Sequence, residues 1–304
     1  VSIADRLDPA LRHLADARTD LSPAVLGAVR DSLNLRRAET VKTVNDIGVE
    51  IENGLAHSVP VRIYRGAPAP APAVIYCHSG AFVLGNLDTD HLQCVEFARR
   101  GRCTVISVDY RLAPEHPYPA ALDDAIAVLN WARQCAVELG IDSARTAVAG
   151  SSAGAALAAG LAQRAAASTV PPVVYQLLHQ PVLDDRPTES KKEFATTPGF
   201  DGPAAQMMWR HYLSDASARD AAVPGRAVDL SGVASTFISC SELDPLRDEA
   251  MDYARRLMRA GVATELHVFP GTCHGFDSLV PAWDTSLRLF ELQGAALRRA
   301  LHGS

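Results

Sequence analysis

The chain has 304 residues, a formal net charge of −6, 48% hydrophobic and 21% charged residues, the balance of a globular protein with ample core material. The acidic balance argues against a nucleic-acid footprint, which needs clustered Lys and Arg, and no apolar run approaches the roughly 18 residues of a membrane-spanning helix. Six cysteines without a CxxC pair argue against a disulfide scaffold and point to a reducing, cytoplasmic setting.

The first forty or so residues read as helices. "VSIADRLDPALRHLADARTD" carries charges every few residues and lacks the apolar centre of a signal peptide. Within it "DRLDPALRHLADA" has helical spacing, and "SPAVLGAVRDSL" opens with Ser22 as N-cap and Pro23 at N1. Two β-rich runs follow, "VNDIGVEIENG" and "VPVRIYRG", then the loop "APAPAPA". From there strand and helix signals alternate: "AVIYCH", "DTDHLQCVEFARRG", "CTVISVDY", "PAALDDAIAVLNWARQCAVELG", "RTAVAG" and an alanine-rich helix. "PPVVYQLLHQP", "STFISC" and "TELHVFP" continue as strands, with "LRDEAMDYARRLMRAG" between the last two and "DTSLRLFELQGAALRRAL" closing the chain. Near-continuous apolar strands alternating with helices predict a mostly parallel sheet covered on both faces. One block, about 184–229, breaks the alternation. It is polar, then helical in "GPAAQMMWRHYLSD", then irregular around Pro224, and its length reads as a lid or cap.

In an open α/β sheet, ligands sit at the C-terminal ends of the strands. Such an end carries Gly150, Ser152 and Gly154 in the pattern G-x-S-x-G, a tight strand-to-helix turn that thrusts the central serine outward. Centring on Ser152 puts glycine at both crowded positions, whereas centring on Ser151 puts Ala149 and Ala153 there. Ser152 is therefore the better nucleophile, and Ser151 a hydrogen-bonding neighbour.

A serine hydroxyl needs a base, and the base needs an orienting group. In this fold class they follow in the order Ser, acid, His. Asp244 in "SELDPLRDEA" and His274 in "GTCHGFDS" each lie just past a predicted strand, on the sheet edge of Ser152. Asp244 also suits a helix N-cap, with Pro245 at N1. His267 falls inside a strand, and His179 precedes Pro181 ahead of the polar block. After "AVIYC", the loop "HSGAFVLG" stands where lipases and esterases carry oxyanion donors. Gly80 and Ala81 present little side chain, and the N–H of Ala153 opens the helix after Ser152 with the helix dipole behind it. His78 reads as a shaper of that loop. His91 and Cys94 could share a helix face, but no further ligand pair stands at zinc spacing, so neither metal nor cofactor is expected.

Together these stretches resemble the hormone-sensitive lipase family of α/β-hydrolases, its bacterial esterases in particular. The matching motifs are "HSGAFVLG", "DYRLAPEHPYPAALDD", "GSSAGA", "ELDPLRDE" and "CHGF", in the family's order from about Val74 to Phe276. The resemblance implies the α/β-hydrolase fold: a mostly parallel eight-stranded sheet flanked by helices, with a helical cap. It divides the chain into an N-terminal cap part (1–45), core (46–183), cap insertion (184–229) and core (230–304). It implies Ser152 as nucleophile, His274 as base, Asp244 as orienting acid, and Gly80, Ala81 and Ala153 as oxyanion donors. Arg111 and Glu115 of "DYRLAPE" look like a packing and ion-pair segment. Ser79 replaces the family's first glycine, Ser151 stands where the family often has Asp or Thr, Ala155 replaces the final glycine, and "LLHQP" stands where many members have Tyr-Pro. That last departure puts His179 or Gln180 near the cap.

The implied reaction is hydrolysis of short to medium acyl esters through an acyl-enzyme, with Trp209 of the cap block as a pocket wall. The rivals are amide or other acyl hydrolysis on the same triad, dehydration of phenolics as in some relatives, and a non-catalytic small-ligand receptor, which in plant relatives lacks the histidine. The partner expected is a small-molecule ester, and the resemblance admits a homodimer through the outer sheet edge.

Overall fold

In the computed structural model, which describes residues 2–214, 217 and 219–303, eight strands form a single sheet. They are β1 (Glu50–Ala56), β2 (Val59–Arg65), β3 (Ala71–Cys77), β4 (Thr104–Val108), β5 (Ile141–Ser151), β6 (Tyr175–His179), β7 (Ser235–Leu243) and β8 (Thr264–Cys273). Their order is β1-β2-β4-β3-β5-β6-β7-β8. β2 runs antiparallel to both neighbours, and every pair from β4 onward is parallel.

The central strands are apolar on both faces because helices cover both. Along β3, Ala73, Ile75 and Cys77 face the layer built by helices Ala120–Gln134, Ala153–Ala166 and Arg247–Arg259. Val74 and Tyr76 face His91–Gly101 and Asp284–His302. The period of two in the strand thus decides which helical layer each side chain meets. Helix Ala153–Ala166 is buried continuously from Ala153 to Ala162, and its run of alanine and glycine lets it lie close against the sheet.

The N-terminal segment departs from the predicted long helices. Among its described residues up to 25, only Ile3–Arg6 is α-helical, followed by a 3-10 turn at Arg12–Leu14. Tertiary contacts override helical spacing at Asp8, whose N–H donates to the Gly271 carbonyl and whose side chain accepts from Ala10 N–H. Leu7 and Leu11 bury instead against Phe269 and Phe276. The next helix starts at Leu26, not Pro23, and has no side-chain cap. The Ser22 carbonyl accepts the N–H groups of Val25 and Leu26, which makes 23–25 a leading turn.

The polar block carries helices Glu189–Glu193, Gly202–Leu213 and Arg219–Ala222. It packs on the N-terminal segment: Gly199 N–H donates to Ala17 O at 3.0 Å, Arg18 to Thr196 O at 2.7 Å and His211 Nε2 to Leu21 O at 2.8 Å. All six cysteines are free, and among the described residues no His/Cys/Asp/Glu group could hold a metal ion. The His91 ring bonds the Tyr64 hydroxyl at 3.0 Å. No helix among the described residues is long and apolar enough to cross a membrane.

Candidate active site

β5 ends at Ser151, and the chain reverses at Ser152 with φ 54° and ψ −117°, a strained conformation for any residue but glycine. The flanking glycines permit the turn. A Cβ on Gly150 would lie 2.4 Å from the Gly154 carbonyl, and one on Gly154 would lie 2.0 Å from the Cys77 carbonyl oxygen. The first contact keeps helix against strand; the second lets the helix start approach the end of β3.

Across 122 residues of sequence, His274 Nε2 stands 2.9 Å from Ser152 Oγ. His274 Nδ1 stands 2.8 Å from Asp244 Oδ2. Three predicted residues from the ends of β5, β7 and β8 therefore meet in one hydrogen-bonded chain. The arrangement assigns the imidazole proton to Nδ1, donated to the carboxylate, and leaves Nε2 to accept from the hydroxyl. Asp244 is fully buried, and its Oδ1 accepts the Leu246 N–H at 2.8 Å while its carbonyl accepts from Arg247. Asp244 thus holds the turn into the next helix and faces His274 at once. The helix itself begins at Arg247, later than a cap at Asp244 predicts.

The oxyanion-type loop after β3 carries positive φ at Gly80, Ala81 and Phe82. Gly80 is required sterically, since a Cβ there would lie 2.1 Å from the Leu84 carbonyl oxygen. Among the described residues, nothing accepts a hydrogen bond from the N–H groups of Gly80, Ala81 or Ala153. Ser79, the departure from the family's glycine, anchors the loop: its N–H and hydroxyl bond the two carboxylate oxygens of Asp90 at 2.7 and 2.9 Å. His78 stacks on Tyr110 with ring centroids 4.1 Å apart, and its Nδ1 bonds the Ser79 carbonyl. Burial pushes the His78 imidazole down to about 4, so it is a neutral structural piece. Arg30, from helix Leu26–Val41, donates to the carbonyls of Val83 and Ala113 and to Glu115. Arg111 pairs with Asp124. "DYRLAPE" is thus packing and ion-pair structure.

Above the site, Phe200 lies over the His274 ring, centroids 4.9 Å apart. Phe82 of the loop stacks on Tyr212 at 3.7 Å, and Trp209 stands 5.9 Å from Phe82. The Trp209 indole N–H is committed to the Asp184 carbonyl. Trp209 also lines an outer cavity of about 650 Å³ with Arg186 and Arg210, and that cavity touches neither Ser152 nor His274.

His179 and Gln180, which the resemblance puts near the cap, are both buried. The His179 carbonyl accepts the Ser152 N–H at 2.8 Å, and Gln180 Oε1 accepts the Gly275 N–H at 2.7 Å. Asp277, bonded to His179 at 3.0 Å, and Phe200 carry no sequence signal of their own. The departure "LLHQP" is the signal for His179 and Gln180.

A sequence profile of a family described as alpha/beta hydrolase fold matches residues 74–278. The chain is 36% identical to Esterase LipI of Mycobacterium tuberculosis, over 98% of this chain and 96% of that one. It is 36% identical to Carboxylesterase NlhH of the same species, over 97% of each. The crystal structure of esterase LipW from Mycobacterium marinum superimposes with a TM-score of 0.97 at 59% identity, covering 98% of this chain and 97% of that one. The chain belongs to the α/β-hydrolases, in their hormone-sensitive lipase branch. In this α/β-hydrolase the fold and the motif order agree with the resemblance carried by the sequence.

Proposed function

We propose that the protein is a carboxylic ester hydrolase for short to medium acyl esters, working through Ser152, His274 and Asp244. The observation that carries this reading is the single imidazole bridging hydroxyl and buried carboxylate, 2.9 Å and 2.8 Å away. Esterase relatives matched over nearly the whole chain support the class of reaction.

Ser152 Oγ attacks the ester carbonyl carbon as its proton passes to His274 Nε2. The electron pair displaced onto the carbonyl oxygen is met by the free N–H groups of Gly80, Ala81 and Ala153, donors already in place before charge develops. Collapse of the tetrahedral adduct breaks the bond to the alcohol oxygen, which takes the proton from His274. Water then gives a proton to His274 and attacks the acyl-enzyme, and the acid departs as Ser152 recovers its proton. Asp244 keeps the imidazole in the useful tautomer and stabilises its charged form.

The segments 1–45 and 184–229 act as a cap, with Phe200 over the base and Phe82, Tyr212 and Trp209 forming an apolar wall. Under such a cover, with Ser152 only 4% exposed, single soluble esters fit better than dispersed fat. The test is turnover of p-nitrophenyl esters of increasing acyl length, with Ser152→Ala as control. Folded protein that leaves every activated ester intact overturns the reading, and rates that keep rising past the solubility limit overturn the chain-length preference.

A further inference from the structure

One short segment at the end of β6 reaches both Ser152 and the loop of His274. The His179 carbonyl accepts the Ser152 N–H at 2.8 Å, and the Val182 N–H donates to the Ser152 carbonyl at 3.1 Å. Both backbone polar groups of the serine are thus tied to residues 179–182. Between those two contacts lies Gln180, which is 1% exposed. Its amide meets both neighbours of His274: Oε1 accepts the Gly275 N–H at 2.7 Å, and Nε2 lies 3.5 Å from the Cys273 carbonyl oxygen. Nε2 also donates to Ser241 Oγ at 2.7 Å, and the Ser241 hydroxyl donates in turn to the same Cys273 carbonyl at 3.0 Å.

We infer that Gln180 is a positioning residue: it fixes the backbone on either side of His274 relative to the backbone of Ser152, and so sets the distance between hydroxyl and imidazole. This inference rests on the proposed pairing of those two residues in ester hydrolysis.

The direction of each bond follows from groups that have no choice. A backbone N–H can only donate and a carbonyl can only accept, so the amide oxygen faces Gly275 and the amide nitrogen faces Cys273. The Ser241 hydroxyl then accepts from Gln180 and donates to Cys273. None of these groups is charged. Glutamine carries an acceptor and a donor at one tip and therefore serves both peptide groups. A carboxylate would set an acceptor against the Cys273 carbonyl, and methionine, of similar length, serves neither. The backbone points the same way. Gln180 has φ 45°, in the left-handed region that strains most residues with a side chain. Glycine would sit there without strain but has no amide to offer. Asp244 and Gln180 thus act on different parts of the base. The carboxylate orients the ring through Nδ1, and the amide holds the peptide groups from which the ring projects.

The experiment compares Gln180→Met with Gln176→Met. Gln176 is fully buried on the same strand and bonds Thr236 Oγ1 at 2.8 Å, so its loss weakens the contact between β6 and β7 only. On p-nitrophenyl butyrate, Gln180→Met lowers kcat by about 10- to 100-fold. Its KM stays within about two-fold of wild type, and Gln176→Met leaves both constants within about two-fold, whatever either variant does to the melting temperature. A Gln180→Met variant that melts earlier and keeps wild-type kcat overturns the inference, as does a Gln176→Met variant that loses as much. Crystal structures of wild type and Gln180→Met add a measure that needs no turnover. The distance from Ser152 Oγ to His274 Nε2, 2.9 Å in the intact protein, opens beyond about 3.5 Å in the variant, and an unchanged distance overturns the inference. If the wild type hydrolyses no ester, the ester-hydrolase reading fails by itself, and this distance still tests Gln180. If Gln180→Met does not fold, Ser241→Ala decides by the same measures. It deletes the hydroxyl between Gln180 and Cys273 and lowers kcat by about three- to ten-fold; a wild-type rate and distance in Ser241→Ala overturn the inference.

Discussion

Phe200 lies over the imidazole of His274, ring centroids 4.9 Å apart and planes at 37°. It comes from the polar block, so a residue outside the sheet limits the freedom of the proposed base. Phe200→Ala removes a nearly buried ring. It lowers stability by about 3 kcal/mol and kcat by about 10- to 100-fold, as read from thermal melting and ester turnover on the same samples. Unchanged turnover in a less stable variant would remove Phe200 from the catalytic geometry.

Within the triad, Ser152→Ala lowers kcat by about 10⁵- to 10⁶-fold without altering the melting temperature by more than a few degrees. Asp244→Asn costs about 10⁴-fold by presenting the wrong imidazole tautomer. It also lowers stability, because Asp244 holds the turn before helix Arg247–Arg259. Ser151→Ala stays within about 10-fold of wild type. A Ser151→Ala variant that is dead while Ser152→Ala turns over would assign the nucleophile to the wrong serine.

The elbow glycines are structural requirements. Gly154→Ala drives a Cβ to 2.0 Å from the Cys77 backbone oxygen, and backbone cannot step aside as a side-chain tip can. The variant loses more than about 3 kcal/mol or is recovered only as aggregate. Near-native melting of Gly154→Ala would mean that the close approach of helix and β3 is not needed.

His78 gives the oxyanion-type loop a defined pH response. Its folded-state value is pushed down to about 4 by burial, from an ordinary 6.5. The folded state therefore binds fewer protons than the unfolded state between those limits. Its contribution to stability is fully present above pH 6.5 and is lost as pH falls through 6.5 toward 4, a change of about 3 kcal/mol. His78→Phe, which retains the stack on Tyr110, flattens that part of the curve. Urea midpoints for both proteins across pH 4 to 7 make the comparison, and parallel curves would exclude His78 as the titrating group.

The sheet and the convergence of Ser152, His274 and Asp244 were legible because their signals are local. β3 is a continuous apolar run and β4 is mostly β-branched, and Gly150 and Gly154 mark a backbone that tolerates no Cβ. The order Ser152, Asp244, His274 follows from strand ends on one edge. What escaped depends on partners distant in sequence. Asp8 gives up helical bonding to reach Gly271, and Ser79 does its work only because Asp90 is folded beneath it. Gln180 is an ordinary polar residue until β7 and β8 bring Ser241 and Gly275 to its amide. Periodicity cannot register such contacts, since none repeats along the chain.

The 122-residue span between Ser152 and His274 also governs when during biosynthesis the protein becomes competent. A nascent polypeptide that has just delivered the serine to the ribosome exit still lacks the imidazole, which lies 122 residues further on. Premature termination anywhere before that histidine yields an inert product, however well the earlier strands assemble. On the proposed triad, turnover in a cell lysate accordingly counts only chains synthesised past His274.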